Sequence, residues 1–433
     1  MTSKVGKPWA LAAILLFALV IRLGWGLSRP VDDGAIDALP DQRDYLSLAQ
    51  SVVKGEGLAF VDKRFGDVVK AFRTPGYPLF LAALGAKVRV ARAVQAVLDT
   101  STVLAVYLLA LAIWTDDQRK LRALLAAGIV AVNPFLVYFS GLLLSETLFT
   151  AMLAWGMLLL VYGKGGRDTT RRGILAWLSG GLILALSVLV RPSAVGLPVL
   201  LAWAALLMNR SGRRTYQDAL VEAGGVRWRW PLPPGATIAA MMFLVLLPWA
   251  WRNFRELGEW VWLDTNSGFT WYDGYNPDAT GASDQSFVMR EPVLQAVGEL
   301  GRSEYLRNKA WTYARENPSR CVGLAFAKLG RTWSPITLST EFGQTRYRAI
   351  ALAYSVPLDL LVILGVLTTT LPRGAKILLL CPAVYFSIVH ALTIGSLRYR
   401  IPTEPPMAVV AAAFVISKVG AGDTWRRSPD TQD

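Results

Sequence analysis

Hydrophobic residues fall in long runs along this chain rather than in the alternation of a surface strand. Runs near 9–27, 92–114, 122–140, 142–162, 174–190, 194–208, 235–251, 350–371, 376–394 and 402–418 are apolar. A helix needs roughly 20 apolar residues to cross a bilayer. The pattern predicts an all-α, polytopic membrane protein with about ten spans, the run at 194–208 being the shortest. Two long polar segments interrupt it, at 28–91 and 252–349. Residues 1–418 read as one transmembrane domain and 419–433 as a polar tail. The first run lacks a small-residue cleavage site, so it is expected to stay as a span.

Charge then sets orientation. The net charge of +14 could suggest nucleic acid, but the basic residues sit in short loops, as the positive-inside rule expects. Lys4 and Lys7, Arg119, Lys120 and Arg122, Lys164 to Arg172, Arg210 to Arg229, Arg373 and Lys376, and Lys418 to Arg427 fall on one side. The short connections on the other side hold only Arg191, Arg398 and Arg400. Both termini are therefore expected in the cytoplasm, with both long loops and any active site outside it. Membrane lipids are the expected surroundings, and no nucleic acid partner is implied. Two cysteines and one histidine exclude a CxxC or His-rich zinc site.

The first long loop concentrates candidate chemistry. Asp41-Gln42-Arg43-Asp44-Tyr45 opens an amphipathic stretch that should lie as a surface helix and end at Gly55 and Gly57. Partial desolvation at the bilayer surface would raise the pKa of an aspartate there, which suits a general base. As a plain structural element, Asp41 would instead cap the helix. Arg73-Thr74-Pro75-Gly76-Tyr77-Pro78 forms a tight turn that pins a guanidinium close to the membrane, where it suits a lipid phosphate or simply snorkels.

Further along, Glu146 stands in the first turns of an apolar run. It is expected either to act or to pair with Arg191 or Arg252. Asp99 is expected to be structural. Trp271 and Tyr272, in a Gly- and Asn-rich loop, could stack on a sugar. Residues 301–334 read as an amphipathic surface helix, and Lys328 and Arg331 on it could touch lipid phosphate. Arg398 and Arg400 flank Tyr399 near His390 and suit a phosphate leaving group.

Several of these stretches together carry a resemblance. Asp41-x-x-x-Tyr45, Gly55-x-Gly57 and Arg73-x-Pro75-Gly76-Tyr77-Pro78 are similar to the first outer loop of GT-C fold glycosyltransferases. The branch is bacterial family 39, with the protein O-mannosyltransferase and lipid A aminoarabinose transferase relatives. Ser145-Glu146-Thr147-Leu148, Arg191-Pro192, Leu247-Pro248-Trp249 with Arg252-Asn253, Gly268 to Gly281, and Arg398-Tyr399-Arg400-Ile401-Pro402 resemble its later motifs.

The resemblance implies transfer of a sugar from a polyprenyl-phosphate donor to a lipid, glycan or protein acceptor, with inversion, at the outer face of a bacterial inner membrane. It places the catalytic aspartate on Asp41. Many members have Asp-Glu where this chain has Asp41-Gln42, so a second carboxylate would be Asp44 or Glu146. Arg73, Arg398, Arg400 and Arg252 are the expected phosphate ligands. Tyr45, Trp271, Tyr272 and His390 are the expected sugar or acceptor contacts. No cofactor is implied, and a divalent metal is left open. A lipid or sugar transporter or flippase, or a glycan ligase or polymerase, is the alternative.

Overall fold

The computed structural model describes residues 8–163, 170–210, 233–336, 338, 344–369 and 371–425. The basic residues expected to anchor the loops at Lys4, Lys7, Lys164, Arg167, Arg213 to Arg229, Arg426 and Arg427 lie outside these. Eighteen α-helices follow in order among the described residues. They are α1 (Pro8–Ser28), α2 (Asp33–Asp37), α3 (Pro40–Val53), α4 (Gly76–Ala83), α5 (Val88–Ile113), α6 (Arg119–Ala131), α7 (Pro134–Ser140), α8 (Glu146–Tyr162) and α9 (Arg171–Val190). Then come α10 (Leu197–Arg210), α11 (Pro234–Leu257), α12 (Ser267–Gly274), α13 (Val293–Ala296), α14 (Glu299–Glu316), α15 (Pro318–Thr332), α16 (Thr345–Thr368), α17 (Arg373–Leu392) and α18 (Glu404–Trp425). One short antiparallel pair, β1 (Phe60–Val61) with β2 (Val68–Val69), sets Phe60 against Val69.

Six described helices are long and apolar enough to cross a membrane, or seven if the bent pair α6–α7 counts as one span. Ten were expected. The apolar α8 is too short to count, because the run near 142–162 becomes helical only at Glu146. The run at 122–140 does not form one straight helix either. It breaks by 54° between α6 and α7, where Pro134 brings no N–H and Asn133 caps the new helix. The Asn133 Oδ1 accepts the Phe135 and Leu136 N–H groups at 2.9 and 3.1 Å. The tail expected from residue 419 continues α18 to Trp425.

A broken helix inside an apolar bundle frees backbone groups that no water reaches. Arg22 on α1 satisfies them. It donates to the Ala131 and Val130 carbonyls at 2.9 and 3.1 Å and to Asp99 on α5 at 2.5 Å. All of this is buried, so Asp99 serves structure. The non-helical link after α7 is held in the same way. Gln95 donates to the Ser140 and Leu142 carbonyls at 3.0 and 2.7 Å, and Tyr77 donates to Gln95 at 2.6 Å. Gln42 accepts the Leu143 N–H at 2.9 Å. That role explains an amide beside Asp41: Gln42 points into the bundle while Asp41 points away from it.

The two long loops form one body with its own core, in which Val69 and Phe72 of the first meet Phe269, Phe287, Leu294 and Leu306 of the second. Glu299 accepts the Lys70 and Ala71 N–H groups at 2.6 and 2.8 Å and the Thr265 hydroxyl at 2.6 Å. Arg302 grips Asp67 with two donors at 2.9 and 2.6 Å. On α11, Trp249 donates to the Leu263 carbonyl at 2.7 Å and Asn253 to the Val261 carbonyl at 2.9 Å, which folds the second loop back over the helix end. Both loops therefore lie on the same side of the bundle.

Arg22→Leu strands the Asp99 charge and two carbonyls in an apolar interior. Breaking a buried pair costs about 3–5 kcal/mol. The variant should lose thermal stability in detergent by several degrees more than Arg43→Leu on the exposed α3 surface, measured as the midpoint of heat-induced aggregation.

Candidate active site

The first loop carries its acids on α3. Pro40 takes the first helical position, and no side chain caps the helix. Asp41 is thus not a cap; its carboxylate is turned outward from the first turn. Arg73 reaches it from the turn before α4. That turn approaches the α9 end so closely that a Cβ at Gly76 would stand 2.7 Å from the Leu189 carbonyl. Only glycine fits there, and the contact fixes where Arg73 starts. Arg398 arrives from the short turn after α17, and Arg191 from the end of α9.

These residues form an alternating chain of charge. Arg73 donates to Asp44 at 2.8 Å and to Asp41 at 2.5 Å. Arg398 donates to Asp41 at 2.6 Å and also to Glu146. Arg191 donates to Glu146 at 3.2 Å. The order is Asp44, Arg73, Asp41, Arg398, Glu146, Arg191. Three acids face three arginines, so the set is neutral. Glu146 has the expected partner Arg191, joined by Arg398, and it is fully buried. Asp41 remains partly exposed and lines a cavity.

Burial pushes the Asp41 carboxyl up, but the Arg73 and Arg398 guanidiniums outweigh it and hold it well below the usual carboxylate range. The expectation of a raised pKa is corrected here: two short ion pairs override desolvation. Asp44 behaves differently. Burial pushes its carboxyl above the ordinary value, and its single partner Arg73 offsets only part of that. Asp264, which motif reading passed over, has its carboxyl pushed up to about 6 by burial, against the pull of Arg73 and of the Ser267 and Asn266 N–H groups.

The cavity holds about 830 Å³. One end is apolar, between Val137 and Phe139 on α7 and Ile350 and Ala351 on α16. The cavity's polar lining comes from Asp41, Arg73 and Arg398 and from Asn266, Thr270 and Gln285 of the second loop. Arg331 on α15 also lines it. Its Nε is buried without a hydrogen-bond partner, and its side chain makes no ion pair among the described residues. Sequence reading treated Lys328 and Arg331 alike, and the structure separates them. The Lys328 amine sits 3.8 Å over the Tyr275 ring, behind the cavity wall, and burial pushes it down to about 8.

Other expected contacts lie elsewhere. Arg400 is buried apart from the cavity, donating to Glu404 at 3.1 Å and Ser355 at 2.5 Å. Arg398 and Arg400 leave a tight turn in different directions, so the pair cannot grip one phosphate. Arg252 spends its donors on the Lys70 and Leu58 carbonyls at 2.6 and 2.8 Å, pinning the first loop. Tyr45 is buried against Tyr77, with the Arg73 guanidinium 5.5 Å from its ring. It positions Arg73 rather than facing a ligand. His390 stacks on Tyr399 at 3.8 Å, which places Tyr399 and not the imidazole on the cavity. Trp271 packs on Trp311 and Tyr275, and Tyr272 opens on a different cavity. No group of three His, Cys, Asp or Glu side chains among the described residues has metal-binding geometry.

With that geometry established, comparison with known proteins locates the architecture. The archaeal oligosaccharyltransferase AglB from Archaeoglobus fulgidus, in complex with an inhibitory peptide and a dolichol-phosphate, aligns with a TM-score of 0.54. Identity is 15%, covering 99% of this chain and 52% of that one. The chain has the GT-C fold. The apo form of the Archaeoglobus fulgidus oligosaccharyltransferase gives a TM-score of 0.55 at 13% identity, over 99% of this chain and 53% of that chain. ArnT from Cupriavidus metallidurans, bound to undecaprenyl phosphate, gives 0.40 at 14% identity, over 95% and 79%. This GT-C chain thus spans about half the length of the oligosaccharyltransferase chains. Residues 84–260 match the family model of the dolichyl-phosphate-mannose-protein mannosyltransferases. No curated protein sequence matches the chain. It is a multi-pass membrane protein whose GT-C frame carries the charged chain at the mouth of the bundle.

Removing one guanidinium should shift the state of Asp41. In Arg398→Gln, burial is opposed by Arg73 alone and the carboxyl rises from its depressed value. Carbodiimide labels protonated carboxyls. At mildly acidic pH it should modify Asp44 before Asp41 in the unaltered protein and modify Asp41 readily in Arg398→Gln, read by peptide mass spectrometry. Equal labelling of Asp41 in both would contradict the assigned ion pairs.

Proposed function

We propose that this chain is a glycosyltransferase that moves a sugar from a polyprenyl-phosphate donor to a lipid, glycan or protein acceptor, in a bacterial inner membrane with both long loops outside. One observation carries the reading: a single cavity joins an apolar slot between α7 and α16 to the acid–arginine chain. A lipid-linked sugar has that division of character. The mannosyltransferase family match over residues 84–260 supports the same class. So does the likeness to a protein captured with a dolichol-phosphate. The distribution of basic loops supports the orientation.

In this reading the isoprenoid tail lies in the apolar slot and the phosphate meets Arg331. The choice of Arg331 follows from charge. Arg73 and Arg398 are already neutralised by Asp41, Asp44 and Glu146, whereas Arg331 meets no counter-charge among the described residues. The arriving phosphate then competes with Asp41 for Arg398. Losing that partner raises the basicity of Asp41, which stays an anion near neutral pH and takes the proton of the acceptor hydroxyl. The hydroxyl oxygen attacks the anomeric carbon from the face opposite the phosphate. The carbon–oxygen bond to phosphate breaks with its electron pair, and Arg331 and Arg398 stabilise the charge that develops there. The product is inverted at that carbon. Glu146 and Arg191 hold Arg398 in place, and Asp44 and Tyr45 hold Arg73.

A transfer assay in membranes with labelled polyprenyl-phosphate sugars tests this. Asp41→Asn should cut the rate by about 10²–10⁴-fold, the range of a lost general base, at unchanged protein level. Unimpaired transfer by that variant would sink the assignment. Arg331→Gln removes a charge-assisted contact worth about 1.5–3 kcal/mol. It should raise the donor KM by roughly ten- to a hundredfold while leaving the acceptor KM near its original value.

A further inference from the structure

The body formed by the two loops contains a second cavity, of about 420 Å³. Small-ligand sites run from about 300 to 1,000 Å³. It shares a stretch of lining chain with the larger cavity. The stretch from 266 to 290 lines both: Asn266, Thr270 and Gln285 face the large cavity, and Tyr272, Asn276 and Phe287 face the small one. The far wall is α14. Lys309, Thr312, Tyr313 and Glu316 line it at spacings of three, four and seven, which is one helix face.

Charge inside the small cavity is largely matched already. Lys309 donates to Glu291, and Arg290 donates to Asp278 at 2.8 Å. A phosphate would find both lining cations, Lys309 and Arg290, already paired. Uncommitted hydrogen-bonding capacity remains. The Thr312 and Tyr313 hydroxyls and the Glu316 carboxylate have no partner among the described residues. The rings of Phe287 and Tyr313 add apolar surface beside them. Hydroxyls that both donate and accept, a carboxylate acceptor and ring faces complement a molecule with apolar C–H faces and a fringe of hydroxyls.

We propose that this cavity binds a neutral saccharide: a sugar unit of the acceptor remote from the hydroxyl that is glycosylated. The proposal rests on the glycosyl-transfer reading and narrows the acceptor to a molecule that already carries a glycan. The shared stretch explains the geometry. An acceptor held in the small cavity can extend across the stretch that lines both and present its free hydroxyl at Asp41 in the large one.

The test uses the full chain in lipid nanodiscs without donor, with chitotriose and mannotriose as probes, read by saturation-transfer NMR. A neutral trisaccharide should bind the unaltered protein and Asp41→Asn alike. Thr312→Trp fills the cavity from an exposed helix position; it should weaken binding by at least about tenfold, and Thr312→Ser should not. In the transfer assay Thr312→Trp should raise the acceptor KM and leave the donor KM unchanged. Failure of both trisaccharides to bind, binding that Thr312→Trp leaves intact, or displacement by a sugar-free peptide would each overturn the proposal. Saccharide binding without transfer from any donor supports the cavity assignment and sinks the glycosyltransferase reading. Transfer without saccharide binding does the reverse.

Discussion

Three carboxylates and three guanidiniums can be buried together only because each neutralises its neighbour. Asp44, Arg73, Asp41, Arg398, Glu146 and Arg191 come from stretches up to 357 residues apart. Any one of them alone would be an unpaired charge at the edge of an apolar bundle, a position that costs several kcal/mol. Assembled, they tie the first loop, α8, the end of α9 and the turn after α17 to one point. The floor of the large cavity exists because that point is fixed. Neutrality has a second consequence: the chain has no spare positive charge, so a phosphate bound there must share a guanidinium with Asp41 or find another cation.

The same rule operates deeper in the bundle with backbone groups as the clients. Where α6 breaks, Arg22 and Asn133 supply the missing donors and acceptor. Where the link after α7 leaves helical geometry, Gln95 and Gln42 do so. These polar side chains are committed to the backbone. Their presence lets the chain depart from straight helices without stranding hydrogen-bonding groups away from water. Helix α7, beyond the bend, lines the large cavity with Val137 and Phe139, so the backbone break and the site share an element.

Motif order located the candidate site better than it assigned roles. Asp41, Asp44, Arg73, Glu146 and Arg398 do meet, although no local pattern brings them together. Arg400 and Arg252 did not join them, since flanking sequence says nothing about which way a guanidinium leaves a turn. Arg331 carried no motif at all. What sets it apart is that it has no partner among the described residues, a property that only packing reveals. The state of Asp41 inverted for a related reason. Desolvation could be anticipated from its place near the membrane, but the two arginines that overrule it arrive from residues 73 and 398.

The sequence alone determined that this is a helical membrane protein with two long polar loops. Hydrophobic runs of bilayer length and short basic connections are local, additive signals, and each segment satisfies its own backbone hydrogen bonds. It also marked the glycines after α3, whose backbone preferences act without neighbours. Tertiary structure alone decided which runs bend or stop short of a full span, which loops share a core and which charges pair. Those outcomes depend on distances between groups remote in sequence. Coulomb energy and desolvation both vary steeply over a few ångströms, so the chemistry of each ionisable side chain was set by the neighbour that folding brought to it.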